Sequence, residues 1–148
     1  MNDLDIKDKE FNRIIVPVDG SDASKKAAEK AYTLANKTGL NVTLMHVVQV
    51  PSSAIPTWSH PKPEWTEVVK KEGEKILNEI KEAGEKKGVK IESKLIEGIP
   101  DDEIIKEGKK EDLIIMGSKG HSTVGRILIG SISEKVLHHA DSTVMIVR

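Results

Sequence analysis

The chain has 148 residues, 37% hydrophobic and only 3% aromatic, and its 23 Lys plus Arg against 24 Asp plus Glu leave a formal net charge of −1. That length suits one ordinary domain with a real core. The near balance of charge supplies no field to recruit nucleic acid or an anionic membrane, so any phosphate binding has to be local. No cysteine occurs, which excludes disulfide frameworks and thiolate chemistry and makes a reducing, cytoplasmic setting the expectation.

Residues 1–11 are charged and polar, lack the apolar run of a secretory signal, and are expected to form a flexible arm ahead of one domain over 12–148. The block 14–18 is continuous, apolar and β-branched, as in a strand covered on both faces. From Ala23 the positions Ala27, Ala31 and Ala35, joined by Leu34, mark a helix that Gly39 can stop in a left-handed turn. A second strand is predicted over 42–48. The connection from 50 to about 63 carries four prolines together with Trp58 and His60, and reads as a loop or lid.

Trp65, Val68, Val69, Ile76, Leu77, Ile80 and Ala83 form the apolar stripe of a Lys- and Glu-rich second helix closed by Gly88. The block 89–96 alternates with charges and suggests an edge strand. Pro100 with Asp101, Asp102 and Glu103 starts a short third helix, Ile104 and Ile105 facing inward. The block 113–116 is again continuous and apolar. Ser131-Ile132-Ser133-Glu134 reads as a capping box before Val136, Leu137 and Ala140, and a last strand follows over 144–147. No apolar run approaches the roughly 20 residues of a membrane span. The alternation of strand and helix calls for a five-stranded parallel sheet with helices on both faces.

In such sheets the ligand crevice lies beyond the carboxyl ends of strands, where neighbouring connections leave in opposite directions. Two segments should meet there: Pro17-Val18-Asp19-Gly20-Ser21 after the first strand and Gly117-Ser118-Lys119-Gly120 after the fourth. Gly117 and Gly120, followed by Gly130-Ser131 at a helix start, would let backbone N–H groups approach a phosphate chain closely. Lys119, His121 and Arg126 add cationic potential. The same residues also fit plainer roles, the glycines as turn formers, Ser131 as a cap, and Asp19 as an acceptor for its own turn or a cap for the next helix. His46, inside an apolar strand, is expected to be a hydrogen-bonded core histidine.

Gly, two residues, Gly, nine residues, Gly and then Ser match a fingerprint in full. The chain also resembles the universal stress protein family from Ile14-Ile15-Val16-Pro17-Val18-Asp19-Gly20-Ser21 through Met45-His46-Val47. The likeness continues from Asp112-Leu113-Ile114-Ile115-Met116-Gly117 to Val144-Met145-Ile146-Val147. The resemblance implies a Rossmann-like sheet of the adenine nucleotide alpha hydrolase type with strand order 3-2-1-4-5. It also implies ATP binding, with adenine received at Val47 and Pro17, Val18 and Asp19 framing the pocket. Ribose and phosphates would then lie against Met116, Gly117, Gly120, Gly130, Ser131 and Ile132. Asp19 would face the ribose or a Mg2+ or Mn2+ carried by the phosphates, and two copies would pair through the last strand as a homodimer.

A Walker-type site fails, because the segment from Gly120 to Gly125 is followed by Arg126-Ile127 rather than Lys and a hydroxyl residue. A dinucleotide site fails because only Gly20 follows the first strand. An adenylating ATP pyrophosphatase, with Asp19-Gly20-Ser21-Asp22-Ala23-Ser24 as its phosphate loop, remains an enzyme alternative, as does a slow ATPase. The other alternative is a nucleotide-free module that docks a protein partner. The favoured expectation is an ATP-binding regulatory module of the stress-response kind, with slow or no hydrolysis.

Overall fold

In the computed structural model the described residues are 11–49, 63–118 and 129–148. The expected arm over 1–10, the loop with Trp58 and His60, the Trp65 side chain, and Lys119, Gly120, His121 and Arg126 lie outside what is described. The elements are β1 (Arg13–Pro17), α1 (Asp22–Thr38), β2 (Val42–Val48), α2 (Pro63–Glu85), β3 (Ile91–Glu97), α3 (Pro100–Glu107), β4 (Asp112–Gly117), α4 (Ser131–His139) and β5 (Thr143–Val147). All four strand pairings are parallel, as the sequence predicts, and the order β3-β2-β1-β4-β5 is the one the resemblance implies.

The two faces of the sheet follow from strand alternation. Ile14 and Val16 of β1, Val42 and Leu44 of β2, and Leu113 and Ile115 of β4 pack with Ala27, Ala31 and Tyr32 of α1 and Leu77 and Ile80 of α2. Ile15, Met45, Ile114 and Met116 point the other way and meet Ile104 of α3 and Val136 of α4. Hence β1 and β4 read as unbroken apolar runs. The chain steps from β1 to β3 with its helices on one face, then crosses to β4 and β5 with helices on the other, as right-handed crossovers require. The reversal falls between β1 and β4.

Local chemistry sets the element ends. Ser21 caps α1 by accepting from the Ser24 N–H at 3.2 Å, and Gly39 ends that helix at φ 76°. At the end of α2, Gly88 adopts φ 82°, and the N–H groups of Gly88 and Val89 bond back to Glu85 and Gly84. This double closure is why β3 starts at Ile91 rather than at residue 89: Val89 finishes the helix. Small side chains let α2 lie close to its neighbours. A β-carbon at Gly84 would stand 2.6 Å from Tyr32 Cζ, and one at Gly73 would stand 2.7 Å from His46 Cδ2.

The apolar stripes needed two corrections. Val68 is 65% exposed and Leu137 42% exposed, since α2 and α4 turn those positions to solvent while Leu77, Ile80 and Val136 reach the core. At the amino-terminal edge of the sheet, Arg13 forms ion pairs with Glu107 and Asp112, and Lys94 reaches Glu107. Among the described residues no helix is long and apolar enough to cross a membrane.

Candidate functional site

The crevice opens where β1 and β4 part company. Their pairing runs from Arg13–Asp112 to Ile15–Ile114 and stops. Yet β1 continues beside β2 to Pro17–Met45 and β4 beside β5 to Gly117–Val147. The last residues of both strands therefore flank a gap at the switch point, where Pro17, Val18 and Asp19 face Met116 and Gly117 across it.

On the β1 side, Val18 is buried and its N–H bonds to the Met45 carbonyl at 2.8 Å. Its own carbonyl lies 2.7 Å from His46 Nδ1. That contact requires the ring to carry its proton on Nδ1 as donor, so His46 is the hydrogen-bonded strand histidine the sequence predicts. Asp19 is exposed, and its Oδ1 accepts from the Ser21 N–H at 2.9 Å. It shapes its own turn, while the helix cap falls to Ser21 rather than to Asp19. Gly20 sits at φ 85°, a conformation that glycine adopts without penalty. Asp19 and Gly20 also border a cleft of about 410 Å³ shared with Lys25, Glu72, Lys75 and Glu79.

On the β4 side, Met116 is buried with its side chain in the core, so it and Val18 can offer a ligand only backbone. Gly117 has a structural reason to lack a side chain, because a β-carbon there would stand 2.7 Å from the Ala23 carbonyl carbon. Val47, half-buried, lies near the carboxyl end of β2, beyond the last β1–β2 pair at Met45.

The start of α4 differs from the capping box expected. Gly130 is the N-cap, Ser131 is the first helical residue, and no described side chain caps the helix. The box is therefore out of register by one residue: Ser133, not Glu134, holds the third helical position. Ser131 and Ile132 are exposed, while Ser133 is buried and its hydroxyl donates to the Gly117 carbonyl at 2.8 Å. A second tie runs from the Gly130 N–H to the Ser118 carbonyl. Ser133 carries no separate signal in the sequence, because it sits inside a motif that assigns it nothing.

Two helix starts thus border the crevice with opposite character. The first turn of α1 is filled by its own chain, with Ser21 as cap and Asp22 beside it. The first turn of α4 keeps backbone N–H groups without a side-chain acceptor among the described residues, and so carries the partial positive charge of a helix end toward the gap. Of the predicted site residues, Pro17, Val18, Asp19, Val47, Met116, Gly117, Gly130, Ser131 and Ile132 gather around the carboxyl ends of β1, β2 and β4. Gly120 lies outside the described residues.

Comparison with known proteins gives the same outline. A universal stress protein of Methanocaldococcus jannaschii is 37% identical over 144 residues, spanning 93% of this chain and 82% of that protein. The solved universal stress protein from Lactobacillus plantarum superposes with a TM-score of 0.78 at 26% identity, covering 93% of this chain and 98% of that one. A universal stress protein solved in complex with cAMP superposes with a TM-score of 0.68 at 26% identity, covering 94% and 98%. The model of the universal stress protein family matches residues 10–148, and the chain belongs to that family.

Proposed function

We propose that this protein is an ATP-binding regulatory module of the stress-response type, in which nucleotide occupancy acts as a switch and hydrolysis is slow or absent. The observation that carries the reading is the amino-terminal turn of α4: an N-cap glycine, no described side-chain cap, and two hydrogen bonds that hold it against the end of β4. A phosphate chain supplies the acceptors this turn lacks. The relative solved with cAMP supports an adenine nucleotide as the ligand class. In this proposal the base lies by Val47, Pro17 and Val18. The ribose and phosphates lie against Met116, Gly117, Gly120, Gly130, Ser131 and Ile132. Asp19 faces the ribose or a Mg2+ or Mn2+ ion accompanying the phosphates. The same proposal includes a cytoplasmic location and a homodimer joined through β5.

The pyrophosphatase alternative fares worse on the hydrogen bonds of the β1–α1 turn. The N–H of Ser21 is taken by Asp19 and that of Ser24 by Ser21, so the would-be phosphate loop spends donors on itself. Slow chemistry follows from the cradle, which offers chiefly backbone donors where phosphoryl transfer needs a positioned nucleophile and charge stabilisation at the γ-phosphate.

Mass spectrometry of small molecules released from freshly purified protein, with calorimetric titration of ATP, cAMP and GTP, tests the ligand. Single-turnover hydrolysis of labelled ATP tests the chemistry. The expected result is adenine-nucleotide binding with turnover far below the roughly 1–100 s−1 of kinases. Absence of released nucleotide and of binding at millimolar concentration would sink the reading. Rapid turnover would promote the enzyme.

A further inference from the structure

The geometry points to Ser133 as a positioning residue that sets the phosphate end of the site, an inference that rests on the nucleotide reading above. It begins with the last peptide of β4. The Ser118 N–H donates to the Val147 carbonyl of β5 at 2.8 Å. In a planar trans peptide the C=O of one residue and the N–H of the next point in opposite directions. The Gly117 carbonyl is therefore turned away from β5, toward the β1 side of β4.

On that side a parallel sheet would ordinarily supply a donor from the neighbouring strand. Here the β1–β4 ladder has already ended at Ile15–Ile114, and the hydroxyl of Ser133 meets the Gly117 carbonyl instead, at 2.8 Å and across 16 residues of chain. A serine in the first turn of a helix more commonly bonds its own local backbone. This one is 5% exposed and spends its proton on the sheet.

The bond acts on α4 as much as on β4. The helix is held below by Val136 in the core, and at its start by Gly130 on the Ser118 carbonyl and Ser133 on Gly117. With glycine at the N-cap and Ser131 and Ile132 exposed, Ser133 provides the side-chain link that fixes where the N–H groups of the first turn sit over the gap. Its role toward a nucleotide is indirect and confined to the phosphates, because on the base side Pro17 is held by pairing with Met45 of β2 and Val47 by pairing with Ile96 of β3.

The test compares wild type, Ser133→Ala and Ser133→Thr for binding of ATP by calorimetry and of adenosine by displacement of a fluorescent ATP analogue, with thermal unfolding of each free protein. Loss of a hydrogen bond that positions charged-group donors should weaken ATP about tenfold in the alanine variant. Adenosine should change by less than about twofold, and threonine should restore ATP binding. A purely structural serine would weaken both ligands alike or neither. Equal losses for ATP and adenosine, or ATP binding by Ser133→Ala as tight as by wild type, would overturn the inference and leave the nucleotide reading standing. If threonine does not fit the buried site, the ATP-to-adenosine ratio in the alanine variant decides alone. A wild-type chain that binds no ATP takes down both.

Discussion

Gly117 packs directly against the backbone of Ala23, leaving no room for a β-carbon: one built there would stand 2.7 Å from the Ala23 carbonyl carbon and 2.8 Å from its oxygen. The end of β4 and the first turn of α1 are both backbone-rigid, so neither yields as a flexible side chain would. Overpacking of this kind costs about 1–3 kcal/mol. Gly117→Ala should lower the melting temperature measurably, and Gly117→Val should lower it further. Any loss of nucleotide binding should track that destabilisation. Wild-type melting in Gly117→Val, read by differential scanning calorimetry, would contradict the packing.

This contact also shows where sequence reasoning stops. Gly117 was legible as a glycine at a strand end, and its place in the fingerprint suggested close approach of a ligand. That the nearest thing it approaches is Ala23, 94 residues earlier in the chain, depends on how α1 lies across the sheet. The parallel sheet and the two-sided burial of β1 and β4 were legible because apolar periodicity and crossover handedness leave few alternatives, whereas the strand order came only with the family resemblance. The register of α4 was not. A run such as Ser-Ile-Ser-Glu offers two serines that can serve as cap or inward link, and only the position of β4 makes Ser133 the link. Likewise Val68 and Leu137 fit helical stripes, yet a helix at the sheet surface buries a narrower face than its apolar positions allow.

Tyr32 is fully buried, and its hydroxyl donates to the Ile80 carbonyl of α2 at 2.6 Å. Tyr32→Phe should therefore cost on the order of 1 kcal/mol at neutral pH, as measured by urea unfolding. Burial, with smaller contributions from Glu29 and Glu85, raises the phenol above its ordinary value of 10.0. The folded chain thus holds this proton more tightly than the unfolded chain. The resulting stability is complete below about pH 10 and declines as pH rises above it. The phenylalanine variant should lose less stability than wild type above pH 10. Parallel alkaline profiles would contradict this assignment.

The acid side has its own group. Glu107 lies 3.1 Å from Arg13 and 3.2 Å from Lys94. Burial pushes its carboxyl upward, but the hydrogen bonds and charges of Arg13 and Lys94 outweigh it and hold the pKa below the ordinary 4.5. A depressed folded-state pKa contributes stability that is present above the unfolded value and lost as pH falls through the folded one. Glu107→Gln should lose about 1–3 kcal/mol at pH 7. It should also show a shallower decline in stability below about pH 4.5 than wild type. Chemical unfolding across that range measures both, and an unchanged acid slope would remove Glu107 from the account.

The two edges of the sheet make different invitations to a partner. The outer strand β3, Ile91–Glu97, carries Glu92, Lys94 and Glu97, and charges of that kind discourage pairing with another sheet. The outer strand β5 reads Thr-Val-Met-Ile-Val with no charge, and among the described residues it pairs with β4 alone. If two copies join, β5 is the edge that favours it, and a twofold axis would set the two strands antiparallel. The choice of variant matters. Val147 is 8% exposed and belongs to the core beneath α1, so a lysine there would unfold the chain before it reported on assembly. Met145 is 39% exposed, and its side chain can change without emptying the core. Met145→Lys should therefore sediment as a monomer while keeping a melting temperature near that of the wild-type subunit, and the wild-type chain should sediment as a dimer. A variant that stays dimeric would move the interface away from β5, and a wild-type chain that sediments as a monomer would remove the homodimer from the proposal.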